Sequence, residues 1–251
     1  ELTIESSLTA SFTQHEIIKL PNGNYMGFLP VIEEHPVPSY ANYPQYGEKF
    51  PWESQEYNLL DYIDKATDYP WQGEKIVEWN KNTNEIVWEW NPFDTTYGYN
   101  LDDFDYKADH WQVAKGVRPY DWLHFNAMVF DSSENVVYVS SRHLDRISKI
   151  NYDTKEIIWN MGIQWYGDQV IQPKNKSGDA LQLFSGQHGL QLLPNGNIVT
   201  LDNGLLSQFI MENLNSPVSR AIEIKVHESN GEYSANVVWS FTLAPELYSA
   251  L

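Results

Sequence analysis

Two eleven-residue stretches of this chain share one pattern. "QHEIIKLPNGN" begins at Gln14 and "QHGLQLLPNGN" at Gln187, and in both a histidine stands the same distance ahead of Pro-Asn-Gly. Asn-Gly between two apolar runs marks a tight hairpin. A third copy, "HFNAMVFDSSENVVYVS" from His124, replaces that turn with Asp-Ser-Ser-Glu-Asn. Each copy is followed by a second hairpin, "KIVEWNKNTNEIVWEW", "RISKINYDTKEIIWNM" and "AIEIKVHESNGEYSANVVWSF". The first two place Ile76 before Trp88 and Ile147 before Trp159 at the same spacing of 12, and the third ends at Trp239. Repetition at this scale restricts the chain to one supersecondary unit built several times over.

The unit reads as four short antiparallel strands: a His-strand, its return, a third strand and a Trp-bearing strand. Four-stranded sheets in series predict an all-β chain, a β-propeller, with blades near 12–92, 120–162 and 184–242. Residues near 30–74 and 93–119 are insertions rich in Pro, Tyr, Asn and Asp. They are candidate lids, and "SQEYNLLDYIDKA" from Ser54 is their best short helix. Propellers close with about 4–8 blades, and three are recognisable. A homo-oligomer, or further blades on a longer chain, would complete the ring and cover the open sheet edges.

Composition narrows the partners. The net charge is −18 and no run of Lys or Arg occurs, which argues against nucleic acid. Any anion site must therefore be assembled from local cations. The absence of Cys rules out disulfides, thiolate metal sites and a Cys nucleophile. No stretch of about 18 apolar residues predicts a transmembrane helix. The 10 Trp and 16 Tyr suit half-buried sheet surfaces. Tyr120, Trp122 and Trp165 are read as packed, with stacking on an aromatic ligand as the second reading. The acidic "NLDDFDYKAD" lacks the spacing of an EF-hand and is read as a solvated loop.

Blade symmetry carries one strand position onto the same height in the next blade, so His15, His124 and His188 should ring one end of the central channel. A single such histidine is better explained as a cap or a bridge between blades. Three in register, with Asn126 one alternation from His124 and Arg142 on the return strand, point to a pocket. An Arg fork, imidazoles and an amide suit a tetrahedral oxyanion. A neutral imidazole among them can be a nucleophile, with the remaining donors holding charge on a group in transit. Arg142 argues against a metal at this place, while Asp202 keeps that idea open. No Gly-rich nucleotide loop is present, and no cofactor is expected.

With these motifs the sequence resembles the bacterial arylsulfate sulfotransferases, six-bladed propellers that work without the nucleotide sulfate donor. The similar segments are "QHEIIKLPNGN", "EIVWEWNPFD", "DWLHFNAMVFD", "VVYVSSRH" and "QHGLQLLPNGNIVTLDNG". The resemblance implies ping-pong transfer of a sulfuryl group from an aryl sulfate to a phenol through a sulfohistidine. In it His188 matches the covalent nucleophile. His124, Asn126 and Arg142 match the residues that hold the sulfate oxygens, and His15 the remaining channel histidine. It also implies a periplasmic or extracellular location. The family's β-sandwich domain and cysteine pair are not found, and half of its blades are absent. Two other readings stand beside it: a non-catalytic propeller for binding or assembly, and a metal-dependent propeller hydrolase.

Overall fold

The computed structural model describes residues 15–36, 68–103, 119–165, 167–207 and 216–249. Among them the chain is nearly all-β. The first sheet runs β1 (Ile17–Lys19), β2 (Tyr25–Pro36), β3 (Asp68–Trp79), β4 (Ile86–Trp90), in that spatial order. A short β5 (Tyr120–Asp121) pairs in parallel with β3, Gln72 opposite Asp121. The second sheet orders β6 (Phe125–Asp131), β7 (Val136–Ser141), β8 (Arg146–Asn151) and β9 (Ile157–Gly162), with β10 (Val170–Ile171) on its outer edge. The third orders β11 (His188–Leu192), β12 (Ile198–Asp202), β13 (Arg220–Ser229) and β14 (Glu232–Thr242). A 3-10 turn at Pro245–Leu247 follows. Among the described residues these are antiparallel meanders of the blade type that do not close into a ring. The helix candidate from Ser54 lies outside the described residues.

Apolar side chains fill the spaces between successive sheets. Met26, Phe28, Trp90, Phe125, Val137 and Val139 belong to one buried cluster, joining the first sheet to the second. Tyr138, Ile147, Leu190, Ile198, Ile222 and Ile224 belong to another, joining the second to the third. Indole N–H groups fasten the same seams. Trp88 and Trp90 donate to the carbonyls of Tyr152 and Lys155 at 2.8 and 2.9 Å. Trp159, on the fourth strand of the second sheet, donates to Glu228 of the third at 3.0 Å. Trp239 holds the corresponding place on β14 and is 51% exposed.

Two buried arginines tie loops to strands. Arg220 donates to Asp202 at 2.7 Å and to the Leu183 carbonyl at 2.6 Å. Asp202 is thus a structural partner, which removes it as a candidate metal ligand. Arg146 pairs with Asp103 at 2.8 Å, both side chains wholly buried. Asp103 belongs to the acidic segment expected to be a solvated loop. It also accepts from the backbone N–H groups of Gly167 and Asp168, and its carbonyl accepts from Trp122. Asp103 is buried here because its carboxylate pairs with the buried Arg146 guanidinium more closely than Asp168 does, at 2.8 against 3.5 Å. Trp122, Tyr120 and Trp165 are buried, in keeping with the packed reading.

Candidate active site

The innermost strands of the three sheets, β1, β6 and β11, deliver their leading histidines to one place. The His15 and His124 rings are 5.0 Å apart between centroids, with Nε2 facing Nε2 at 3.2 Å. His15 and His188 are 6.3 Å apart. Side chains between the sheets hold this convergence. Glu16, next to His15, accepts from the Met128 N–H of β6 at 2.6 Å. Gln187, next to His188, is wholly buried and donates to Ser140 Oγ and to the carbonyls of Ser141 and Arg146.

Arg142 and Asn126 complete the set in different ways. Arg142 follows β7, and its backbone N–H donates to the His124 carbonyl at 3.2 Å. Its guanidinium is close enough to help depress the titration of both His15 and His188. Asn126 does not share a simple strand face with His124. The register passes from Phe125 opposite Ser141 to Ala127 opposite Ser140, so Asn126 is the extra residue of a β-bulge. His124 precedes the strand in the left-handed region, at φ +51°. Alternation therefore breaks where the site is built. The bulge turns the Asn126 amide toward the third sheet, where it donates to the Gln187 carbonyl at 2.6 Å.

Each imidazole has a distinct second contact. His188 Nδ1 lies 2.9 Å from both the Gly186 carbonyl and Asn203 Oδ1. A backbone carbonyl can only accept, so Nδ1 carries the proton and the lone pair sits on Nε2. Burial, foremost, pushes His188 below its ordinary value, with help from Arg142 and His124. It is a neutral imidazole at neutral pH, the form a nucleophile requires. His15, on the exposed rim, is also lowered, by desolvation first and then by His124 and His188.

Four contributors were not singled out from the sequence. Asp121 Oδ2 meets His124 Nδ1 at 2.6 Å, and the Asp121 carbonyl accepts from His143 Nδ1 at 2.6 Å. Burial pushes the Asp121 carboxyl up, but His143, His124 and Arg142 outweigh it and leave it lowered. His143 is buried beneath His124, centroids 4.7 Å apart, and burial pushes it down to about 4. Glu74 of β3 is buried beside them and held well above the usual carboxylate range, by desolvation first and then by Asp121. Asn203 is the fourth. The spacing of Asp121 three residues before His124 in "DWLH" was the available signal.

Asp121, His124 and His143 each bring one ligand-type atom within 4.8 Å of the others, the spacing of a metal site. Both Nδ1 atoms are committed to Asp121, however, and the two rings lie partly over one another at 31°. That arrangement suits hydrogen bonding rather than chelation. No helix among the described residues is long and apolar enough to cross a membrane.

No curated protein matches the sequence significantly. The model of the arylsulfotransferase (ASST) family matches residues 55–251, a span that contains His124, Asn126, Arg142 and His188 and begins after His15. The match covers most of the chain, which therefore belongs to the arylsulfotransferase family, a family of aryl sulfotransferase-type activity.

Proposed function

We propose that this site transfers a sulfuryl group from an aryl sulfate to a phenol, in two steps, through His188. In the first step His188 Nε2 attacks sulfur, the S–N bond forms, and the S–O bond to the aryl group breaks, the aryl oxygen taking a proton from the site as the phenol departs. In the second a phenol oxygen attacks the same sulfur, its proton passes to the site, the S–N bond breaks and His188 leaves as a neutral imidazole. The observation that carries this reading is the fixed Nδ1–H of His188, held by Gly186 and Asn203, which leaves an unprotonated Nε2 in a ring of cationic and polar donors. Arg142 is the main donor for the sulfuryl oxygens, whose charge it stabilises as it redistributes, with the His15–His124 pair and its one shared Nε2 proton beside it. Asn126 acts on the same site through the Gln187 carbonyl, the backbone group that leads into His188. No nucleotide, metal or other cofactor has a role. The three sheets serve as blades of one propeller domain, and the reaction suits an exported or periplasmic protein that meets aryl esters outside the cell.

The test uses a chromogenic aryl sulfate with an excess of phenol. The chain, or the longer protein that contains it, releases coloured phenolate, and His188→Ala abolishes release. Mass spectrometry after exposure to donor alone finds a sulfuryl adduct on His188. Undiminished turnover in His188→Ala would remove that residue from the role, and loss of turnover on chelation would favour a metal-dependent hydrolase.

A further inference from the structure

The second sheet places a histidine on the site, and the first sheet supplies the carboxylate behind it. β5 adds to the edge of β3 in parallel, with Asp121 opposite Gln72 and the Trp122 N–H on the Gln72 carbonyl. Three residues later the chain turns through the left-handed backbone of His124. A non-glycine residue in that conformation persists when its surroundings hold it there. Here Glu74 Oε2 accepts from the Phe125 N–H at 3.0 Å, directly after His124. The Ser141 hydroxyl and the His143 N–H both bond the Leu123 carbonyl, directly before it. The backbone of His124 is thus clamped on both sides. The ring, in turn, is held by Asp121 Oδ2 at 2.6 Å, while the other carboxylate oxygen is buried and meets no hydrogen-bond donor among the described residues.

We propose that Asp121 is a positioning residue that keeps a proton on His124 Nδ1 in both charge states of the ring, so that any proton His124 exchanges is confined to Nε2, facing His15 and the reacting group. A carboxylate at Nδ1 makes that nitrogen a donor whether the ring is neutral or cationic. The only variable site is then Nε2, 3.2 Å from His15 Nε2. The two histidines can share one Nε2 proton between them, its charge offset by Asp121.

This inference rests on the sulfuryl-transfer reading for the identity of the reaction. The departing phenolate takes the shared Nε2 proton and leaves as a phenol, and both imidazoles end neutral with a proton on Nδ1. In the second half the acceptor phenol gives its proton back to the pair as its oxygen attacks sulfur. His188 keeps its Nδ1–H throughout, and protons balance over the cycle.

Two readouts test the proposal separately. The first is the imidazole ¹⁵N spectrum of the chain labelled at histidine, with His124 assigned by its Gln variant. The expected result is a protonated Nδ1 at neutral pH, lost to the ordinary Nε2–H preference in Asp121→Ala. A neutral His124 carrying its proton on Nε2 in the wild-type chain, or a tautomer untouched by Asp121→Ala, overturns the proposal. Asp121→Asn serves the same purpose should the Ala variant not fold, and the wild-type spectrum decides even without either. The second readout compares two donors, one with a nitrophenolate leaving group and one with an unactivated phenolate. Asp121→Asn should lower kcat about 100-fold for the unactivated donor, the usual worth of general acid–base help. It should lower kcat only a few-fold for the nitrophenyl donor, with KM little changed. Equal losses for both donors, or a loss confined to KM, would overturn it. Failure of sulfuryl transfer would appear as no turnover with either donor, and the tautomer would still answer for Asp121.

Discussion

His143 makes stability depend on pH in a way that can be isolated. It is buried and pushed down from the ordinary 6.5 to about 4, chiefly by loss of water, with Asp121 opposing and His124 and Arg142 assisting. A buried neutral imidazole must give up stability when the unfolded chain can bind a proton and the folded one cannot. The contribution is therefore fully present above about pH 6.5, declines as pH falls, and stops declining near pH 4. Each pKa unit is worth about 1.4 kcal/mol, so the whole loss is about 3 kcal/mol, and about 2 kcal/mol of it occurs between pH 7.5 and pH 5. In His143→Gln the side-chain amide can still donate to the Asp121 carbonyl, but nothing titrates. Urea unfolding followed by tryptophan fluorescence at pH 7.5, 6 and 5 reads the difference. The wild-type chain should lose about 2 kcal/mol more than the variant over that range. Glu74 works in the opposite sense, since its raised carboxyl favours the folded state as pH falls. Glu74, His15 and His188 are common to both proteins and largely cancel in the comparison. Parallel pH curves for the two would refute the claim that His143 is neutral because it is buried.

Two further outcomes concern the frame. Asp202→Ala leaves Arg220 buried without its carboxylate and should cost about 3–5 kcal/mol in denaturant unfolding, whereas the double change Asp202→Leu with Arg220→Met should cost clearly less; equal costs would mean the pair is not acting as a buried ion pair. Gly204 has φ +71°, and a Cβ there would lie 1.8 Å from the Val218 carbonyl oxygen, so Gly204→Ala should cost at least about 2 kcal/mol and lower Tm by at least about 4 °C, and an unchanged Tm would contradict the close approach.

The strands were legible in the sequence because their signals are local. Asn-Gly turns and the Ile-to-Trp spacing place Trp88, Trp159 and Trp239 on fourth strands, where β4, β9 and β14 carry them. The convergence of His15, His124 and His188 was legible too, since it follows from repetition. What was hidden depends on contacts across the chain. Asp103 reads as one acid among several until Arg146 is placed beside it. Asp121 gains its meaning from a parallel pairing with a strand about fifty residues earlier, which no periodicity announces. Alternation relates Asn126 to His124 only along an unbroken ladder, and the bulge at Asn126 leaves no mark in the one-letter code.

Repetition explains why three imidazoles meet, but not why they differ. Three equivalent rings at such distances would share one environment and compete for protons, each making its neighbours harder to charge. The structure avoids this by giving each ring another partner at its second nitrogen or another exposure. His188 faces two neutral acceptors and is kept neutral. His124 faces a carboxylate at its Nδ1. His15 sits on the rim and is lowered by desolvation first, then by the other two rings. Environments that push similar groups apart are how one site separates a nucleophile from an acid. The separating residues, Asn203 and Asp121, both lie outside the repeated His-strand motif. The repeat thus supplies the geometry of the site, and departures from the repeat supply its chemistry.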